Sequence, residues 1–295
     1  MSSLDTVVTL LREITALQNL GFLFTGIYWH EFVLHGHFDW KLLNRSEKDR
    51  APAARIAKWS YLLCRLLLIV YSAGITVLSS REQVECHFLL KLLTSTGFLG
   101  VICSSLLLSI RVAAVWAWNK GILALLGTIL CAMLGSAIFF TVKADSTYSS
   151  DLEICALSGV HNDYYPSIIT TCGDGTILIF LLLGLQRNWR DAKTYRMWNV
   201  LWSQGLIYLV LAVAVDVPLV VLLSLNLNAI INSIVVIPQI IILGIGATRM
   251  FRSLNTAVRG EAEDPEHFTN GTSHAMRVPR TLTQGDVQLK ELRRS

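Results

Sequence analysis

Three ionisable residues lie inside long apolar runs: Arg65, Asp174 and Asp216. A charged side chain at the centre of a bilayer costs about 2.5 to 3.5 kcal/mol on insertion scales, so such residues usually face the bundle interior and find partners. The long side chain of an arginine can reach an acid on a neighbouring helix. We therefore expect an ion pair between Arg65 and Asp174, with Asp216 nearer the outer mouth. A pair that only fixes helix packing and a ligand or ion site are both open interpretations.

Amide side chains add to these charges. Gln204 and Asn232 lie in or beside apolar runs, and with the three charged residues they form the candidate intramembrane polar network. If the two aspartates face each other, one of them is expected to hold a proton, because two carboxylates in one site disfavour double ionisation.

Two of the six cysteines differ from the rest, which lie within apolar runs. Cys86 precedes the third run and Cys155 lies between the fourth and the fifth, on the side that we assign below to an oxidising compartment. We predict a disulfide between them, with two free thiols as the alternative. The bond would hold the loop of 143–166 over the mouth of the bundle.

The best metal-ligand composition is a cluster near the end of the first run, formed by His30, Glu31, His35, His37 and Asp39. Membrane di-iron enzymes need several such clusters, and this one stands alone, so we expect no metal site. Gly-rich phosphate loops, nucleophile elbows and paired zinc motifs do not occur. We expect neither a cofactor nor an enzyme, although a membrane enzyme stays open as a minor alternative.

The elements that must position these residues follow from composition. Of the 295 residues, 53% are hydrophobic and 16% are charged, whereas soluble domains carry about 25% charged residues. The apolar residues form unbroken runs of about 20, the length that spans a bilayer as a helix. The sequence therefore predicts an all-α membrane protein with a seven-transmembrane-helix bundle. Its spans are 14–34, 56–78, 88–110, 119–142, 167–187, 200–224 and 229–250.

Loop charge predicts the orientation of this bundle. Lys and Arg concentrate in the first, third and fifth connections and directly after the last span, and such loops stay on the cytoplasmic side. The N-terminal segment 1–13 should then be extracellular and the C-terminus cytoplasmic. Residues 251–295 are polar and are predicted to be a disordered cytoplasmic tail.

Several stretches resemble one family, the uncharacterised seven-helix integral membrane proteins of mushroom-forming fungi (basidiomycetes). They touch most of the spans and are 26–32, 61–65, 111–116, 201–208, 225–228 and 247–254. The resemblance implies the seven-helix architecture and a fungal source, and it implies no ligand or reaction.

The layout favours a receptor-like sensor. An outside N-terminus, seven helices, a disulfide from the third span to an outer loop and Arg111 at the inner end of that span resemble the plan of G-protein-coupled receptors, although their Asp-Arg-Tyr triplet is missing. The alternative is a small-solute or proton carrier that uses Arg65, Asp174 and Asp216 as a relay. Expected partners are the lipid bilayer of the plasma membrane or another secretory-pathway membrane, a small-molecule ligand and a cytoplasmic signalling protein, but no nucleic acid.

Overall fold

The computed structural model describes residues 3–44, 52–79, 86–143, 145–149, 154–158, 164–187, 196–225 and 234–263. Within these ranges the chain forms seven helices and one antiparallel two-stranded hairpin. The helices are α1 (Ser3–Leu43), α2 (Pro52–Ser79), α3 (Cys86–Val115), α4 (Lys120–Lys143), α5 (Tyr164–Arg187), α6 (Arg196–Leu225) and α7 (Val236–Glu263), and the strands are β1 (Asp145–Ser149) and β2 (Ile154–Ser158).

Four of these helices, α2 to α5, are long and apolar enough to cross a membrane. Helix α6 contains a shorter apolar segment, Val210–Leu222. The predicted helical membrane protein is thus confirmed at this level. The hairpin was not predicted, because β1 is almost wholly polar and β2 is short and does not alternate apolar with polar residues.

The helices pack around a shared core. One buried apolar cluster draws on all seven helices, with Leu42, Tyr61, Leu107, Leu126, Ile177, Ala212 and Leu243 among its members. We call the end of the bundle that loop charge predicts to be cytoplasmic the inner end, and the opposite one the outer end. Helix α3 is central, since it packs against α2, α4 and α5.

Helices α2 and α7 approach closely at a glycine. A Cβ atom on Gly244 would overlap the side chain of Leu68, which is itself 1% exposed. Small residues at such crossings let the backbones of membrane helices come near each other. Gly244 therefore sets the distance between α7 and α2.

The hairpin occupies the loop of 143–166 and lies against α3. Cys155 pairs with Tyr148 across the two strands, and Cys86 is the first residue of α3. The side chains of both cysteines lie outside the described residues, so their disulfide stays a prediction. Of the other cysteines, Cys64 and Cys103 are buried, whereas Cys131 and Cys172 are exposed on the bundle surface.

Both terminal helices differ from the predicted boundaries. Helix α1 runs without a break from Ser3 to Leu43, although the sequence placed its span at 14–34. Helix α7 continues to Glu263, into the segment predicted as a disordered tail from 251 onwards. The chain divides into a unit of Met1–Asn255, which holds the bundle, and a second unit from Thr256, described only as far as Glu263. Hydropathy identifies only the apolar part of a helix, the part that a bilayer would require. A helix can continue through polar residues beyond that part, as α1 and α7 do.

Candidate functional site

A cavity of about 210 Å³ lies in the outer half of the bundle. Residues from α1, α2, α3, α4, α5 and α7 line it, and most of them are apolar, such as Leu93, Phe98 and Ile240. Its polar groups belong to Tyr71, Thr94, Ser167, Thr170 and Gln239. An apolar chamber with a few polar groups is the usual form of a small-molecule site.

Gln239 connects this cavity to a buried acid. Its Nε2 atom donates a hydrogen bond of 2.8 Å to Oδ1 of Asp216, which is 4% exposed. The neighbouring Pro238 lies in the first turn of α7, where a missing backbone donor breaks no helical hydrogen bond. Asp216 and Gln239 thus join α6 to α7 beside the cavity.

Asp174 forms the second buried acidic site. It is 1% exposed, and Oγ of Ser105 lies 2.5 Å from its Oδ1 atom. Its Oδ2 atom has no hydrogen-bond partner among the described residues. Asp216 is close enough for the charges of the two carboxylates to interact. The two aspartates of the predicted network are thus both buried, on the neighbouring helices α5 and α6.

Arg65 does not join them, so the predicted Arg65–Asp174 pair is wrong. Nη2 of Arg65 lies 2.6 Å from Oδ2 of Asp39 and also donates to the carbonyl of Phe32 at 3.0 Å. The reason is the length of α1. Because this helix continues past the predicted end of its span, it carries Asp39 alongside α2, within ion-pair distance of Arg65.

The Arg65–Asp39 pair belongs to a larger network at the inner end. Tyr61 donates a hydrogen bond of 2.5 Å to Asp39 and accepts one of 3.4 Å from Arg252. Arg252 and Arg249 both form ion pairs with Glu31. Nη2 of Arg249 lies 2.6 Å from Oε2 of Glu31. We call these residues the inner ionic cluster: Glu31, Asp39, Tyr61, Arg65, Arg249 and Arg252.

This cluster fastens three helices together. Glu31 and Asp39 come from α1, Arg65 from α2 and Arg252 from α7, and all but Asp39 are less than a tenth exposed. His35 adds a contact of 3.3 Å to Glu31. Buried charges are tolerated when each one is paired and hydrogen-bonded. The cluster therefore fixes the relative positions of α1, α2 and α7.

Sequence reasoning missed most of this cluster, although a signal was present. Glu31, His35 and Asp39 recur every four residues, which places them on one face of a helix. That face becomes visible only if α1 is extended beyond residue 34. These residues have the composition of metal ligands, whereas the structure pairs Glu31 with Arg249 and Arg252. Within the described ranges, no group of three or more His, Cys, Asp or Glu residues could hold a metal ion.

Two members of the predicted network cannot be placed. The side chain of Gln204 and the whole of Asn232 lie outside the described residues. Arg111 is placed at the inner end of α3 and is 7% exposed, and its two terminal nitrogens have no hydrogen-bond partner in the described part of the chain.

No protein-family model matches the chain. No curated protein matches it either. Function must therefore be argued from the cavity, the buried acids and the inner ionic cluster.

Proposed function

We propose that this chain is a receptor-like sensor that spans the membrane seven times, with its N-terminus outside and its C-terminus in the cytoplasm. Four helices meet the length and hydropathy that a span requires, and the other three contribute to the same buried core. The loop charges support the orientation. Membership of the fungal seven-helix family and location in the plasma membrane or a secretory-pathway membrane stay predictions.

The observation that carries this proposal is the course of α7. Its first turns supply Val236, Gln239 and Ile240 to the cavity, and its later turns supply Arg249 and Arg252 to the inner ionic cluster. At 1.5 Å per residue, about 18 Å separates Ile240 from Arg252 along one helix. A displacement of α7 at the cavity would therefore act directly on its ion pairs with α1.

The cavity determines which ligands fit. A cavity of about 150 Å³ is known to hold benzene, so a chamber of about 210 Å³ suits a molecule somewhat larger than one aromatic ring. Gln239, Ser167 and Thr170 offer hydrogen bonds at its wall. We infer that the ligand is a small, mostly apolar molecule with one hydrogen-bonding group.

Signalling would follow from two positions of α7. A ligand shifts such an equilibrium only if it binds one state more tightly than the other. The side chain of Arg249 is 64% exposed although it pairs with Glu31, so it is accessible at the inner end. A cytoplasmic signalling partner would recognise the arrangement of α1 and α7 at that surface.

Binding of small probe molecules to the cavity tests this proposal. Indole and benzyl alcohol serve as probes, and thermal unfolding of the purified chain in detergent reports their binding. Val101→Phe places a larger side chain in the cavity wall, whereas Val213→Phe enlarges a valine that is 51% exposed on α6. We expect the probes to raise the Tm of the wild type and of V213F, and to have no effect on V101F.

A second measurement separates a sensor from a simple binding protein. Hydrogen exchange is followed at the inner end of α7, around residues 246–255, with and without probe. Sensing requires that exchange there changes in the wild type and stays constant in V101F. Probe binding with unchanged exchange at the inner end would contradict the sensor.

A carrier is the second candidate, and the buried pair of Asp174 and Asp216 favours it. The expected three-residue relay is incomplete, because Arg65 belongs to the inner ionic cluster. Solute flux in proteoliposomes, compared with nucleotide exchange on a co-expressed G protein, distinguishes the two functions. Flux that Asp174→Asn abolishes would favour the carrier.

A further inference from the structure

We propose that His35 makes the inner ionic cluster sensitive to pH, because a proton on its imidazole ring weakens the ion pairs that Glu31 forms with α7. This inference goes beyond the sensor, since it concerns the cluster alone and requires no ligand in the cavity. The proton would come from the side of the membrane at which the cluster lies, which loop charge predicts to be the cytoplasm.

Three nitrogen atoms from two helices converge on a single oxygen of Glu31. Nε of Arg249 donates a hydrogen bond of 3.0 Å to Oε1, and Nη2 of Arg252 donates to the same atom. Nε2 of His35 lies 3.3 Å from it. The two oxygens of a carboxylate together offer about four sites for hydrogen bonds. Oε1 therefore has about two sites for three nitrogen atoms, and His35 is held least closely.

Protonation changes what His35 can do at this oxygen. The neutral ring has one donor nitrogen and one acceptor nitrogen, whereas the imidazolium ion has two donors and a positive charge. A hydrogen bond from a charged donor to a carboxylate is about twice as strong as a neutral one. His35 and Glu31 are four positions apart on α1. A proton therefore strengthens a contact within α1 at the expense of the contacts between Glu31 and α7.

The charges around the ring oppose the added proton. Four charged groups of the described residues act on it, one acidic and three basic, namely Glu31 on α1, Arg65 on α2, and Arg249 and Arg252 on α7. Asp39, one turn further along α1, pairs with Arg65. Protonated His35 would thus be a fourth cation beside two carboxylates. The new charge repels the arginines of α7 while it competes with them for Glu31.

The direction of the pH effect follows from these surroundings. Burial and the charge of Arg252 lower the pKa of His35 below its ordinary value of 6.5, and the opposing charge of Glu31 does not restore it. The folded chain therefore binds this proton less tightly than the unfolded chain does. Stability is complete above about pH 6.5 and is lost as the pH falls from there towards the pKa of the folded chain. The side chain of His35 is 33% exposed, so water has access to the ring.

Thermal unfolding of the full purified chain in detergent, at about pH 7.5 and about pH 5.5, tests the proposal on both sides of the ordinary pKa of histidine. His35→Gln keeps a polar side chain that does not titrate. His37→Gln is the matched control, because His37 is exposed on the same helix. We expect acidification to lower the Tm of the wild type and of H37Q by about 2 to 4 °C more than that of H35Q. Equal shifts in all three proteins would overturn the proposal.

A permanent charge at position 35 isolates the effect on α7. His35→Lys stays charged at neutral pH, because the pKa of lysine is about 10.4, so hydrogen exchange can be compared with that of H35Q in one buffer. We expect exchange at residues 246–255 to be at least about threefold faster in H35K than in H35Q, since the inner end of α7 opens more often. His37→Lys and H37Q form the control pair and should exchange alike there.

Folding of each variant is checked by its size-exclusion profile and its unfolding transition, so only folded protein is compared. If H35K does not fold, the Tm values of the wild type and H35Q decide the proposal by themselves. Equal exchange at residues 246–255 in folded H35K and H35Q would overturn it, because the proton would then leave α7 unaffected. Neither measurement uses a probe in the cavity, so a failure here is distinct from a failure of the sensor.

Discussion

Buried carboxylates have different partners at the two ends of the bundle. At the inner end, Glu31 and Asp39 face the guanidinium groups of Arg65, Arg249 and Arg252. In the outer half, Asp174 and Asp216 receive only neutral donors among the described residues, from Ser105 and Gln239. Where the charge is compensated, an acid fixes packing. Where it is not, the acid is available for an ion, a proton or a ligand.

This difference also separates stability from function. Removing one member of a compensated pair leaves its partner as an unpaired buried charge, which is strongly destabilising. Removing an uncompensated charge takes away an unfavourable group. The same chemical change, an acid replaced by its amide, should therefore have opposite consequences at the two ends.

The largest effect is expected for Glu31→Gln. Arg252, at 8% side-chain exposure, would lose its buried ion pair with Glu31, whereas Arg249 is mostly exposed and can return to water. We expect a loss of about 3 kcal/mol in the free energy of unfolding, since breaking a buried pair costs about 3 to 5 kcal/mol. Thermal or chemical unfolding in detergent measures it. Glu13→Gln on the same helix is the control, and equal losses in both variants would contradict a special role for Glu31.

A smaller effect is expected between the two regions, at Gly244. This glycine lies on α7 between Gln239 and Arg249, and a methyl group there would overlap Leu68. Gly244→Ala should destabilise by about 1 to 3 kcal/mol, the usual cost of overpacking. Gly135→Ala is the control, because a Cβ at Gly135 would meet nothing within 4 Å. A variant G244A as stable as G135A would show that α2 and α7 do not pack closely here.

The smallest effect is expected for Asp174→Asn. The amide can still accept the hydrogen bond from Ser105 at 2.5 Å while the buried charge disappears. Its free energy of unfolding should equal that of the wild type or exceed it by up to about 1 kcal/mol. The same unfolding assay measures it, and a loss as large as that of E31Q would end the distinction between the two ends.

The helices could be predicted from the sequence, but the partners of the charged residues could not. Runs such as 56–78 and 119–142 are mostly apolar and coincide with α2 and α4 within a few residues. The pairing of Arg65 depended on a feature that hydropathy does not report, the continuation of α1 through polar residues to Asp39. Arg65 could be assigned to the bundle interior, yet its partner was decided by which helix brings an acid to the same level.

The buried aspartates were easier to identify, because an acid inside a span is conspicuous by itself. Their neutral partners were not, since Ser105 is one of many hydroxyl residues in the spans. Only the packing of α3 against α5 distinguishes Ser105 from Ser104 one position earlier. Contacts between distant segments are thus the information that the pattern of residues lacks.

The inner ionic cluster can form only late in the synthesis of the chain. Glu31 is separated from Arg249 by 218 positions and from Arg252 by 221. Because synthesis proceeds from the N-terminus, α1 is complete before the arginines that pair with its Glu31 have been translated. A chain truncated before α7 would keep that acid uncompensated, which gives the cell's quality-control machinery a chemical mark of an unfinished molecule.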